Sequence, residues 1–285
     1  MSPAILFGLV AAVCYGTANV IARFSGRSVG VLPTLVWSQL FLLLCASIAV
    51  LLLCARFEGD LIDWAALLAA NLSIIAATAC LYRGLATGRL SVVAPVMASY
   101  GAVGSGLSLL TGEEATPVLL TGLSLTVVGA ILSALPSKTR TNSKTSGVWL
   151  AAGAAVFYGL GYWLQGKFVL PAFGPVPTIW LYYLNSAAVF GLTAMLRRTP
   201  VLHFGGAKDV ALLLITASLS GGGFAAMMVA QADGEIAIAT ALSSAATAIT
   251  VVLAFLFMKD KPDWKGWLGV AAVVAGIAIL QLAAG

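Results

Sequence analysis

The chain has 285 residues, of which 61% are hydrophobic and only 9% charged, and it carries a formal net charge of +5. A soluble domain holds roughly 25% charged residues, so this composition, with a mean hydropathy of +1.03, excludes the soluble classes and describes a polytopic helical membrane protein. Apolar segments of about twenty residues match a ~30 Å hydrocarbon core, and ten of them leave no room for a separate soluble domain.

Taken in chain order, apolar runs bounded by Pro, Gly and charge predict helices over 4–23, 32–54, 63–86, 90–110 and 117–135. A second set follows over 148–167, 177–196, 209–231, 236–258 and 264–284. The opening MSPAILFG has no basic stretch before its apolar run, so the first segment is expected to span rather than to be cleaved. Pro33, Pro117 and Pro177 stand at helix starts, where a missing N–H costs little. Pro95 lies inside 90–110 and is expected to bend that helix. Cys14, Cys45, Cys54 and Cys80 fall in apolar stretches without metal-ligand spacing and are expected to be buried, inert thiols. The single histidine, His203, sits in a short polar connection.

Lys and Arg divide unequally between alternate connections. One side holds Arg23, Arg27, Arg83, Arg89, Lys138, Arg140, Lys144, Arg197, Arg198, Lys208, Lys259, Lys261 and Lys265, the other only Arg56 and Lys167. The positive-inside rule makes the first side cytoplasmic, and an even number of spans then leaves both termini outside. Because the basic residues are scattered over five connections, no nucleic-acid partner is implied.

The most polar stretch, SKTRTNSKTSG at 137–147, falls near the middle and reads as a linker between two similar units, 1–136 and 148–285. Ala12-Val13-Cys14-Tyr15-Gly16 recurs as Ala155-Val156-Phe157-Tyr158-Gly159, and Trp37 meets Trp180 at the same offset of 143. Ala86-Thr87-Gly88 parallels Ala232-Asp233-Gly234 at 146, and Gly122 and Gly129 match Gly269 and Gly276 at 147. Five spans per unit is an odd number, so the second unit enters the membrane from the opposite side. The predicted fold is an all-α membrane protein of ten transmembrane helices in two inverted five-helix repeats, with a substrate site where the repeats meet.

A carrier needs polar and aromatic side chains at mid-span. Tyr15 and Asn19 lie one turn apart, and their repeat mates are Tyr158 and Tyr162, with Trp163 adjacent. Ser99 and Tyr100 follow Pro95, Ser243 and Ser244 occupy the matching region of the second unit, and Tyr82 lies toward the end of its helix beside Arg83. These ten residues are the expected substrate contacts: Tyr15, Asn19, Tyr82, Ser99, Tyr100, Tyr158, Tyr162, Trp163, Ser243 and Ser244. Arg83 is expected to snorkel to the interface. Gly221-Gly222-Gly223 and Gly101, Gly104 and Gly106 serve either close helix packing or hinge motion. All ten acidic residues sit near connections, so a lipophilic cation finds no deep countercharge and coupling to protons through a buried acid is disfavoured. Neither a metal nor another cofactor is expected, and nothing in the chain supplies the acid, base or metal cluster of an intramembrane enzyme.

The run from Ala94 to Leu135, with Pro95, Gly112-Glu113-Glu114, Gly122 and Gly129, resembles the end of an EamA domain of the drug/metabolite transporter superfamily, and Tyr82-Arg83-Gly84-Leu85 resembles that family's third-helix end. The second unit departs from the pattern, with Met258-Lys259-Asp260 in place of the Gly-Glu pair and no counterpart of Pro95. The resemblance implies a ten-helix carrier of a bacterial inner membrane that exports amino acids, aromatic ones included, or similar small neutral or zwitterionic metabolites. Its partners are then a small substrate and the lipid bilayer, and a monomer suffices. Gradient-driven uniport is the simplest scheme. Rival readings are a broad drug or nucleotide-sugar carrier of the same superfamily and a non-transporting scaffold.

Overall fold

The computed structural model describes residues 3–88, 93, 96–114, 116–132, 146–201, 206–232, 235–258 and 264–283. Those residues are all helix and short connection. In the first half the helices are α1 (Pro3–Ser28), α2 (Val31–Leu52), α3 (Leu61–Thr87), α4 (Tyr100–Leu110) and α5 (Pro117–Leu132). The second half opens with α6 (Ser146–Leu164), which runs through a π-helical turn (Gln165–Val169) into the short α7 (Leu170–Phe173). Then come α8 (Pro175–Leu196), α9 (Ala207–Ala232), α10 (Ile236–Ser244), α11 (Ala246–Met258) and α12 (Trp264–Ala283).

Among the described residues, seven helices are long and apolar enough to cross a membrane, α10 and α11 together supplying one of them as Ile236–Phe257. Val96–Leu110 and Pro117–Gly129 are shorter apolar helices. The chain is therefore a multi-pass membrane protein. The bend expected at Pro95 and the role given to His203 fall outside the described residues, as does most of the polar linker; Ser146 and Gly147 of that linker already belong to α6.

Because lipid is as apolar as leucine, hydrophobicity alone does not choose which helix faces touch, and small residues decide instead. A Cβ on Gly16 of α1 would come within 2.7 Å of the Ala246 carbonyl and of Ile249 in α11. One on Gly276 of α12 would meet the Thr126 backbone of α5 at 2.7 Å. The resulting contacts come in pairs: α1 packs on α9 as α6 packs on α3, while α2 lies against α8, α4 against α10 and α5 against α12. The two offset-matched tryptophans both tie α2 and α8 into the bundle, Trp37 Nε1 donating to the Val201 carbonyl at 2.7 Å and Trp180 Nε1 to Ser47 Oγ at 2.9 Å.

Helix ends are fixed by local chemistry. Asp60 and Asp63 form a reciprocal capping box at the start of α3, satisfying backbone donors that the helix leaves open. Gly112, at φ +103°, makes the turn out of α4 in a backbone region that side chains disfavour. Between α10 and α11 the helix breaks at Ala245, whose N–H reaches back to Leu242. Ser243 and Ser244 donate to the carbonyls of Thr240 and Ala241 there, back-bonding that bends helices. A turn at Ser99 separates Val96–Ala98 from α4 in the same way.

One expectation is corrected and one choice is settled between alternatives. None of the four cysteines is fully buried: Cys14 and Cys80 are partly buried and Cys45 and Cys54 exposed, because a thiol on an apolar helix is as well placed against lipid as in the bundle. Of the two roles expected for the Gly221–Gly223 run, close packing is seen: within the continuous α9, Gly221 admits Leu42 and Gly223 admits the Tyr15 ring, which a Cβ would meet at 2.9 Å.

Candidate functional site

A cavity lies where α1, α2, α3, α6, α8 and α9 meet. Its functional side chains are Tyr15 and Asn19 from α1, Gln39 from α2, Thr78 and Tyr82 from α3, Tyr158 and Tyr162 from α6, Tyr182 and Tyr183 from α8, and Ser220 and Phe224 from α9. Both halves of the chain contribute walls. The chain has seven tyrosines; six line the cavity, and the seventh, Tyr100, packs its ring 6.0 and 5.7 Å from those of Tyr158 and Tyr162. Tyr158 and Tyr162 are stacked at 5.5 Å, and Phe224 sits 4.5 Å from Tyr182 and 5.8 Å from Tyr183. Among the described residues, no Asp, Glu, Lys, Arg or His stands in this lining.

The hydroxyl protons can be counted. Thr78 Oγ1 gives its proton to the Ile74 carbonyl at 2.8 Å, so it accepts from both Tyr158 at 2.9 Å and Tyr182 at 3.3 Å. Tyr100 likewise donates to Ser243 Oγ, whose proton goes to the Thr240 carbonyl. Tyr15 and Tyr162 share one hydrogen bond at 3.1 Å and Tyr82 and Ser220 another at 3.4 Å. Each pair needs only one of its two protons, so each leaves one hydroxyl proton to offer a ligand. The cavity is an aromatic box with neutral donors.

Its free volume is small, about 60 Å³ open to the centres of water-sized spheres. At about 10–15 Å³ per water on that measure, it holds a handful of waters, and an amino acid enters only when the walls move. A larger recess of about 440 Å³ between α2 and α9, lined by Trp37, Leu40, Phe41, Leu44 and three residues of α9, offers almost nothing polar and fits the hydrocarbon side of the bundle.

Of the ten residues singled out from sequence, the structure brings Tyr15, Asn19, Tyr82, Tyr158 and Tyr162 to the cavity and Tyr100 behind it. Asn19 Nδ2 makes a long 3.4 Å contact with Thr250 Oγ1. Trp163 is not among the lining residues: its indole donates to Thr111 Oγ1 at 3.1 Å and stands edge-on to Phe168, one residue further round the helix from Tyr162. Ser243 and Ser244 are fully buried, spending their protons on backbone carbonyls, and Ser99 stands at the start of α4, so these three serines shape helices rather than line the cavity. Arg83 is exposed, as expected. Gln39, Thr78, Tyr182, Tyr183, Ser220 and Phe224 were not anticipated.

Beyond one end of the cavity the two halves are latched together. Both carboxylate oxygens of Glu113 accept from the Ala237 N–H at 3.1 Å, placing a carboxylate on the N-terminus of α10, where the helix dipole favours it. Lys167 Nζ donates to the Thr111 carbonyl at 3.0 Å beside it. Burial pushes the Glu113 carboxyl above its usual range, with the Ala237 N–H pulling in the opposite direction. Toward the other end, Arg23 donates to the Gly88 carbonyl at 3.1 Å and Arg27 to the Ala86 carbonyl at 3.3 Å, tying the ends of α1 and α3.

Residues 145–282 match the EamA-like transporter family, so the second half of the chain carries an EamA-like domain. A solved crystal structure described only as that of a protein is 16% identical and superposes with a TM-score of 0.75, covering 98% of this chain and 96% of that one. At that identity the likeness speaks for the fold alone. No curated protein matches this chain.

Proposed function

We propose that the chain is a secondary transporter of the drug/metabolite type, built from ten spans in two inverted five-helix repeats over 1–136 and 148–285, which exports amino acids or similar small neutral or zwitterionic metabolites by alternating access. The observation that carries this reading is the cavity between the two halves, whose described lining has six tyrosines, two amides and no formal charge. An aromatic side chain finds ring partners there, each face-to-edge contact contributing about 0.5–1.5 kcal/mol. A carboxylate finds hydroxyl protons, and an amino group finds a side-chain carbonyl. A lipophilic cation or a sugar nucleotide lacks a buried countercharge at this position, so the drug and nucleotide-sugar readings rank below.

The tightness of the cavity and the paired helix contacts support alternating access, with one half rocking against the other about the site. The basic residues support both termini on the external side of a bacterial inner membrane. Without an acid in the cavity lining, uniport is the simplest coupling. Counterflow of a radiolabelled amino-acid panel in proteoliposomes, with and without a proton gradient, tests the reading. Flux of an aromatic or other neutral amino acid that persists when the gradient is collapsed is the expected result. No flux of any member points to a scaffold, and flux that vanishes with the gradient removes uniport.

A further inference from the structure

Gln39, which lines the cavity, carries an enclosed acceptor without a partner among the described residues. Gln39 on α2 is 5% exposed, and its Oε1 has no hydrogen-bond partner among the described residues. Other buried polar atoms lacking partners, such as Asn71 Nδ2 and Gln165 Oε1, belong to residues that do not line the cavity; among the described lining residues this position is alone. A buried carbonyl without a donor destabilises the protein that carries it, most of all in a bilayer, where no solvent completes the bond. Leucine of similar volume would avoid that cost, and α2 is otherwise rich in leucine. A ligand that brings its own N–H removes the penalty only while it is bound, which is how a binding site is distinguished from packing.

Nearby chemistry narrows the ligand. Tyrosine hydroxyls offer protons to an anion, but a donor group on the ligand needs an acceptor, and the hydroxyl oxygen of Thr78 already serves Tyr158 and Tyr182. Gln39 shares the cavity lining with tyrosine and phenylalanine rings, whose faces also attract a cation. Resting on the proposed transport reading, we infer that Gln39 Oε1 is the docking point for a primary amino group, so that the carrier selects substrates bearing one. The bond is N–H to carbonyl, with no countercharge.

The test is counterflow inhibition in proteoliposomes by three probes: phenylalanine, phenethylamine and 3-phenylpropionate. Gln39→Leu should weaken phenylalanine and phenethylamine about ten-fold or more, as the loss of one charge-assisted hydrogen bond requires, and leave 3-phenylpropionate unchanged. The variant should melt no lower than the native protein, because it loses an unpaired buried acceptor. Gln39→Glu, of nearly the same size, should shift preference at least ten-fold toward phenethylamine over 3-phenylpropionate, and serves if the leucine variant fails to fold. Equal losses on all three probes, losses confined to the two carboxylates, or a glutamate variant without amine preference would each overturn the assignment while transport itself stood. If the native protein responds to none of the three, the aromatic amino-acid reading falls and the Gln39 assignment with it.

Discussion

The hydroxyls of Tyr15 and Tyr162 meet at 3.1 Å across the two halves of the chain, 147 residues apart. In sequence register Tyr15 answers to Tyr158 and Asn19 to Tyr162, so this bond joins the first residue of one matched pair to the second residue of the other. Tyr15→Phe and Tyr162→Phe each remove the same bond. Each single variant still leaves one hydroxyl proton for a ligand and should change substrate affinity little, whereas the double variant leaves none and should weaken binding by about five-fold, or ~1 kcal/mol. Additive losses in a double-mutant cycle would mean that the hydroxyls act separately.

Gly223 lies directly under that tyrosine. Gly223→Ala places a methyl 2.9 Å from the Tyr15 ring, whereas one on the neighbouring Gly222 meets only Cys14 Sγ at 3.8 Å. The first substitution should reduce transport several-fold by displacing the ring, and Gly222→Ala should leave transport at the native level. Equal rates for the two would disconnect Tyr15 from the substrate path.

Trp163 and Asn19 should separate in their effects. Trp163→Ala removes a hydrogen bond to Thr111 and an edge contact with Phe168, so it should cost about 1–2 kcal/mol of stability with substrate affinity unaltered. Asn19→Ala gives up only a 3.4 Å contact and should melt within about 1 kcal/mol of native while binding weakens. Thermal melts beside binding isotherms distinguish the two patterns.

The latch residue Glu113 predicts a pH dependence. Burial raises its folded carboxyl above the ordinary range, and it faces Lys167 and Glu235. A raised folded value means that folding favours the protonated form, so this group's stabilising contribution is complete below the ordinary glutamate range and fades as pH rises through the folded value. The difference in melting temperature between native protein and Glu113→Gln should therefore change across the mildly acidic range and level off above it. A constant difference would show that Glu113 titrates as if unburied.

The division of thirteen basic residues against two predicts external termini. A C-terminal alkaline phosphatase fusion should be active and a green fluorescent protein fusion dark. The opposite result would invert the protein in the membrane without touching the repeat.

The residues that could be read from sequence are those that repetition marks. Tyr15, Asn19, Tyr158 and Tyr162 stood out because two offset-matched segments carried polar groups at one-turn spacing, and all four reach the cavity. Tyr182, Tyr183 and Phe224 did not, because lipid-facing and bundle-facing sides of α8 and α9 are equally apolar, and periodicity separates faces only where one is wet. Trp163 was misplaced for the same reason: adjacent helical residues point about 100° apart, and nothing in the composition says which of two aromatic neighbours turns inward. Gln39 did carry a signal, being a lone amide in an otherwise apolar helix. The Gly112-Glu113 pair gains a physical reason in the structure, the glycine for a left-handed turn and the glutamate for the amide of Ala237 in the other half. The π-helical turn at Gln165–Val169 had no sequence signal at all.

On the proposed transport reading, a cavity whose described lining carries no charge of its own leaves the membrane voltage acting on the cargo alone. Moving one elementary charge through 100 mV is worth about 2.3 kcal/mol, so a cationic amine leaving a cell with a negative interior would climb that gradient unaided. A zwitterion carries its two charges across together, and the electrical work cancels. With tyrosines and amides in place of ions around the cargo, flux of such a molecule responds to its concentration on the two sides and not to how strongly the membrane is polarised.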